Sequence, residues 1–104
     1  MLRVRSFRRA GRLVPPKTRG LKARSVVLRR GGMMDWHSTQ HREELILVLR
    51  GQVRLERQSG RRRQHVRVAA GQSILLPRRT LHRVVNVFRG TAQYVYITAG
   101  GGMR

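Results

Sequence analysis

Residues 31–51 read Gly31-Gly32-Met33-Met34-Asp35-Trp36-His37-Ser38-Thr39-Gln40-His41-Arg42-Glu43-Glu44-Leu45-Ile46-Leu47-Val48-Leu49-Arg50-Gly51. Residues 34–39 alternate. Met34, Trp36 and Ser38 fall on one face of an extended strand, and Asp35, His37 and Thr39 on the other. Residues 40–43 are polar and read as a bend. Residues 45–49 are apolar at every position, which suits a strand buried on both faces. A helix of ordinary length does not fit there, because Gly51 follows and a fresh alternation begins at once. The same stretch holds His37, His41, Asp35, Glu43 and Glu44, from a chain with only four histidines and four acids. Imidazole and carboxylate bind divalent metals and move protons near neutral pH. The plainer reading is a polar loop before a core strand, its acids answering nearby arginines.

Downstream, residues 52–57 alternate with Val53 and Leu55 on one side, so the strands around Gly51 read as a hairpin. Residues 58–63 form a polar turn through Ser59-Gly60. Residues 64–68 set His65 opposite Val66 and Val68, the pattern of a solvated histidine. Ala70-Gly71 turns the chain. Residues 73–76 read as a short buried strand stopped by Pro77, which cannot continue a ladder. Residues 81–88 and 92–99 read as two more strands joined by Arg89-Gly90. Upstream, residues 24–28 have a β-branched centre and read as a strand, with a turn over 29–32. No segment sustains a helical period. About eight short strands result, which argues an all-β sandwich or barrel.

Three regions follow from this pass. Residues 1–23 are basic and broken by Pro15-Pro16 and Gly20, and read as an N-terminal arm. Within it, Leu2, Val4 and Phe7 are expected to form a short edge strand or to pair with a partner chain. Residues 24–99 form the β domain, and residues 100–104 a flexible tail.

At 104 residues the chain suits one domain. Its formal charge of +20 is almost all arginine, since Lys17 and Lys22 are the only lysines. Such a field attracts nucleic acid, anionic lipid and acidic ligands. The arginines are spread along the chain and no aromatic is interleaved with them as a stacking platform requires. Non-specific nucleic-acid binding at low salt is therefore expected, rather than sequence recognition. The absence of cysteine excludes disulfides and thiolate chemistry. No apolar run approaches the roughly 20 residues of a membrane helix, and no apolar segment follows the basic N-terminus as in a secretory signal. A cytoplasmic protein without membrane attachment is the expectation.

A second stretch, residues 71–86, reads Gly71-Gln72-Ser73-Ile74-Leu75-Leu76-Pro77-Arg78-Arg79-Thr80-Leu81-His82-Arg83-Val84-Val85-Asn86. In order and spacing, the two stretches together resemble the paired motifs of the cupin superfamily. Gly31, His37, Thr39, Glu44 and Gly51 fall on the positions of the first motif, with Thr39 replacing its second histidine. Gly71, Pro77, Arg79, His82 and Asn86 fall on those of the second, with Arg79 replacing a glycine. The resemblance implies a small jelly-roll type β-barrel with one divalent metal ion inside. Carried over residue by residue, the ligands are His37, Glu44 and His82, with Thr39 at the fourth position. Two imidazoles and a carboxylate make the ligand set of facial-triad iron sites, and manganese, nickel or zinc also fit.

His41 shares parity with His37, yet lies roughly 13 Å along an extended strand. Only a bend at Gln40 would bring it in, so Thr39 and His41 are both candidates for a fourth ligand or polar pocket group. Glu43 is ambiguous in the same way, but the spacing to Gly51 favours Glu44. Tyr94 and Tyr96 share a face of the last strand and either pack on the barrel or reach the pocket mouth. Arg79 stands where a glycine would serve unusual backbone angles, and points either to the pocket or to solvent.

The resemblance implies a metal-dependent enzyme acting on a small organic or carbohydrate-like molecule, of oxygenase, isomerase or lyase type. The alternative is a small-ligand binding or sensing cupin with a degenerate, metal-free site. A homodimer is expected, because strand edges need cover and Trp36 offers an apolar anchor.

Overall fold

The computed structural model describes residues 3–100. Leu2 of the expected edge strand and residues 101–104 of the expected tail lie outside them. The alternating segments become nine strands: β1 (Gly11–Arg12), β2 (Leu21–Leu28), β3 (Met33–Ser38), β4 (Arg42–Arg50), β5 (Gln52–Ser59), β6 (Arg62–Ala69), β7 (Ser73–Leu76), β8 (Leu81–Asn86) and β9 (Ala92–Gly100). No helix occurs among the described residues, so none is long and apolar enough to cross a membrane. The strands form two antiparallel sheets, in the orders β1-β2-β9-β4-β7 and β3-β8-β5-β6. Their inner faces share one core, in which Val26, Ile46 and Val48 of the first sheet join Val53, Leu55, Val68 and Val84 of the second. The expected all-β, jelly-roll type architecture is the one observed.

Several local expectations are corrected. Gly51 does not close a hairpin, since β4 and β5 belong to different sheets. It is a corner where the chain crosses between them. Gly51 has a φ of +73°, and a Cβ there would lie 2.9 Å from Phe88 Cδ2 and 3.1 Å from the Thr91 carbonyl oxygen. Only glycine meets both demands without strain. Period-two patterning on either side of a glycine is the same at a hairpin and at a corner, so the pattern alone cannot separate them.

Residues 45–49 are not buried on both faces. Ile46 and Val48 point into the core, whereas Leu49 is 38% exposed on the other side. The β7 strand shows the same split: Leu76 is buried and Leu75 is 60% exposed, because β7 is an edge strand. The first long strand begins at Leu21, not at 24, and its outer partner is β1, with Gly11 opposite Ser25. Val4 and Phe7 are exposed and outside any strand. The arm instead crosses the first sheet. The Phe7 carbonyl accepts hydrogen bonds from Ser25 Oγ at 2.7 Å and Gln93 Nε2 at 2.6 Å.

On β3 the alternation is interrupted. Met34 pairs with Val84 and His37 with His82, so three steps on β3 match two on β8. This β-bulge turns Met34 to the inner face with His37, rather than outward with Trp36. Trp36 lies outside, with the Arg83 and Arg63 guanidinium carbons 4.8 Å and 5.3 Å from its ring centroid.

Asn86, at the end of β8, binds three segments together. Its Nδ2 shares two hydrogens among the carbonyls of Leu28 at 3.0 Å, Arg29 at 3.0 Å and Gly90 at 2.9 Å. Its Oδ1 accepts from the Phe88 N–H at 2.8 Å. The turn after β2, the end of β8 and the loop into β9 are thereby held in one arrangement.

Glu56 faces outward on β5 but is only 5% exposed. Arg83 Nε reaches Oε1 at 2.7 Å and Arg54 Nε reaches Oε2 at 2.8 Å. Burial pushes the Glu56 carboxyl up, but the bonds and charges of Arg83 and Arg54 outweigh it and hold it below the usual 4.5. A carboxyl lowered in the folded state contributes stability above its unfolded pKa and loses it as pH falls through the folded one. Stability should therefore drop as pH falls below 4.5. Urea midpoints followed by circular dichroism should fall less over this range in Glu56→Gln than in the parent. An equal fall in both would remove Glu56 as the source.

Candidate metal centre

The bulge and the two-sheet arrangement bring residues from three strands together. His37 on β3 and His82 on β8 are direct cross-strand partners, with ring centroids 4.2 Å apart and planes at 57°. Glu44 comes from β4 in the facing sheet, between Leu76 and Thr98 on its neighbours. His82 is fully buried, Glu44 is buried, and His37 is exposed. One ligand atom from each of the three lies within 4.8 Å of the others.

The orientation of both rings is set by backbone carbonyls. His82 Nδ1 meets the Thr80 carbonyl at 3.0 Å, and His37 Nδ1 meets that of Asp35 at 2.7 Å. A carbonyl oxygen only accepts, so each Nδ1 carries its hydrogen. In the neutral ring the lone pair then sits on Nε2. His82 Nε2 is buried and has no hydrogen-bond partner among the described residues. It lies 3.6 Å from Glu44 Oε2, too far for a hydrogen bond. A buried acceptor left unmatched costs about 1–3 kcal/mol, so such a nitrogen beside a carboxylate is built for a cation or a donor.

Thr39 lines the same cavity, but its hydroxyl is engaged elsewhere. Oγ1 donates to the Pro77 carbonyl at 2.8 Å and accepts from the Thr80 N–H at 3.0 Å. It clamps the 77–80 turn against the end of β3. His41 is exposed and lines a separate cavity of about 690 Å³. A bend does occur at Gln40, whose φ is +55°, and it carries His41 away from the cluster. Glu43 is exposed. His65 sits on the outer face of β6, opposite Glu56. Arg79 keeps the left-handed backbone a glycine would have, at φ +57°, and is exposed beside His41's cavity. Of the candidate residues, His37, Glu44 and His82 converge and His41 does not.

The cavity around the cluster holds about 510 Å³. Met34, Asp35, Arg42, Tyr94, Tyr96 and Lys22 are among the other residues of its wall. Tyr94 both packs in the core, at 1% exposure, and lines this wall. Arg42 was hidden because arginine is so common here, and Lys22 because it falls before the strand expected from residue 24. The signal was parity: Arg42 lies two residues before Glu44 and so on its face.

The family profile described as the cupin domain matches residues 24–98. Among solved structures, a Cupin 2 conserved barrel domain protein from Salinispora arenicola CNS-205 matches with a TM-score of 0.78 at 20% identity, covering 98% of this chain and 92% of that one. The cupin domain of Schizosaccharomyces pombe Cnp3 matches with a TM-score of 0.76 at 14% identity, over 88% of this chain and 59% of that one. Oxalate oxidase in complex with the substrate analogue glycolate matches with a TM-score of 0.72 at 22% identity, over 79% and 43%. Against several such structures the chain spans about half the length, between 43% and 59%. Likeness at these identities shows the fold alone. No curated protein sequence matches.

Burial first, then the charge of Glu44 and the presence of Tyr96, push the Tyr94 phenol well above its ordinary 10.0. A group raised in the folded state stabilises it below the unfolded pKa, and loses that contribution as pH rises through the folded one. Tyr94 is thus a neutral hydrogen-bond donor throughout the physiological range. In an ultraviolet titration of the native protein, Tyr94→Phe should leave the tyrosinate signal near pH 10.0 almost unchanged. Loss of half that signal would show that Tyr94 ionises normally.

Proposed function

The chain belongs to the cupin family, and from that premise we propose that His37, Glu44 and His82 hold one divalent metal ion. The same reading makes the protein an enzyme acting on a small organic or carbohydrate-like molecule in the surrounding cavity, by oxygenase, isomerase or lyase chemistry. The observation that carries it is the pair of histidines with Nδ1 tied to carbonyls and Nε2 left free, His82 Nε2 being buried and unmatched beside Glu44. Carbonyl partners of this kind orient metal-binding imidazoles and strengthen them as ligands. Bond lengths of roughly 2.0–2.2 Å require donors about 3 Å apart, a modest side-chain closure from the present spread. Iron, manganese, nickel and zinc all accept this donor set. A bound ion would supply a Lewis acid, and a redox centre if iron or manganese. The protein's own part is to orient the three side chains and the bound molecule. Tyr94 offers a hydrogen-bond donor near Glu44, while Thr98 and Tyr96 shape the wall.

A second reading is a ligand-binding cupin without metal. Thr39 favours it, because its hydroxyl is committed to the 77–80 turn and leaves three donors rather than four. Purification without chelators decides between them. Elemental analysis should give close to one metal per chain. His82→Ala should weaken metal binding by roughly 100-fold or more, while His65→Ala leaves it unchanged. Metal-free protein that also fails to take up any of the four ions would end the metal reading.

A homodimer is part of the same proposal. The outer face of the first sheet carries Leu75, Val27 and Leu49 at 60%, 40% and 38% exposure, beside the half-buried Leu45 and Leu47. Such an apolar sheet face favours burial against another surface. Mutual repulsion between chains of charge +20 is screened at about 150 mM salt. Light scattering should then give twice the 12.0 kDa chain mass, shifting toward monomer as salt is lowered or in Leu75→Arg. Monomer alone at about 150 mM salt would rule the dimer out.

A further inference from the structure

Arg42 opens β4 and points to the inner face, one rung from Glu44 toward the cavity mouth. Its partner on β9 is Gly100, which presents no side chain against it. Arg42 Nη1 is buried and has no hydrogen-bond partner among the described residues. The arginines in ion pairs among the described residues are Arg54 and Arg83, both held by Glu56. A charged guanidinium is costlier to bury unmatched than a neutral amide.

The other buried unmatched atom is His82 Nε2. The two have opposite needs. The imidazole lone pair requires a cation or a donor, whereas the guanidinium N–H requires an acceptor. A metal ion beside an anion meets both needs at once, the ion at the imidazole and the anion at the guanidinium. Charge agrees. The cavity wall carries Lys22 and Arg42 against Glu44 and Asp35. Asp35 Oδ1 already accepts from the Trp36 N–H at 2.7 Å, and Glu44 would be drawn to the metal. With a divalent ion added, the wall holds excess positive charge and the planar fork of Arg42, whose Nη1 is unmatched. That fork fits a carboxylate in two parallel hydrogen bonds. About 510 Å³ is room for a small organic acid.

Building on the metal reading above, we propose that the cavity binds a small carboxylate-bearing molecule, with Arg42 clamping the carboxylate and Lys22 supplying a second positive charge. The substrate class is thereby narrowed from any small organic molecule to an organic acid. The clamp would fix one end of the molecule and present its remaining groups toward His37 and Glu44.

Calorimetric titration with succinate, and with neutral succinamide as control, tests this on metal-loaded protein at about 150 mM salt. Succinate should bind and succinamide should not. Arg42→Gln should weaken succinate at least about 10-fold, and Arg42→Lys, which keeps charge but loses the fork, by an intermediate factor. Arg62→Gln, a change of equal charge at the other cavity, should have no effect. Circular dichroism confirms that each variant is folded, and elemental analysis that each retains its metal. Equal weakening by Arg42→Gln and Arg62→Gln would mean that only the general positive field holds the anion, and the proposal would fall. So would tight succinamide binding, or unchanged affinity in Arg42→Gln. If the protein carries no metal yet succinate binding still depends on Arg42, the metal reading fails and the carboxylate site stands.

Discussion

The carboxamide of Asn86 is the joint on which the two sheets depend. It satisfies three carbonyls and one N–H drawn from the turn after β2, the loop before β9 and its own strand end. Each such bond nets only about 0.5–1.5 kcal/mol, and the Arg29 carbonyl also accepts from the Gly32 N–H at 2.8 Å. The geometric effect outweighs the energetic one. Asn86, Val84 and His82 alternate onto the inner face of β8, so fixing Asn86 fixes where His82 lies relative to β4 in the facing sheet. A motif position that looks chemical is therefore structural. It places the strand that bears His82, and its carboxamide is spent on backbone groups.

The same division runs through the rest of the cluster. Both histidines are aimed by local carbonyls, Asp35 for His37 and Thr80 for His82. The Thr80 segment is in turn held by the Thr39 hydroxyl. At the motif position of a second histidine, this chain has Thr39, which clamps the turn leading into β8. The left-handed residues Gln40 and Arg79 belong to the same junction, since the Arg79 N–H donates to the Gln40 carbonyl at 2.8 Å. Backbone strain there is carried so that two turns can meet.

Much of this was legible in the chain. Period-two patterning and turn residues located most strands, because they report which faces are buried. Motif spacing picked out His37, Glu44 and His82, because spacing survives whatever the sheet partners are. The failures have a common cause. Pattern is local and pairing is not. Gly51 looks the same at a hairpin and at a corner, and only the partners of β4 and β5 tell them apart. The bulge at Asp35 and Trp36 leaves no mark in the pattern, yet it decides that Met34 faces inward. Leu45 and Leu49 are as apolar as core residues but lie on a half-open face. Arg42 was hidden by composition. In an arginine-rich chain, one guanidinium becomes significant only when its neighbours fail to satisfy it.

The outer face of the second sheet has an optical consequence. Trp36 is the only tryptophan in the chain. It lies between the guanidinium groups of Arg63 on β6 and Arg83 on β8, and Arg83 is itself tied to Glu56 on β5. Emission from this lone indole depends on how closely those cations stack on it. Trp36 is also the residue next to His37, on the reverse side of a strand with a bulge at that point. The protein thus carries a single indole next in sequence to a cavity residue, and excitation at the red edge of the absorption, where Tyr94 and Tyr96 do not absorb, isolates its emission.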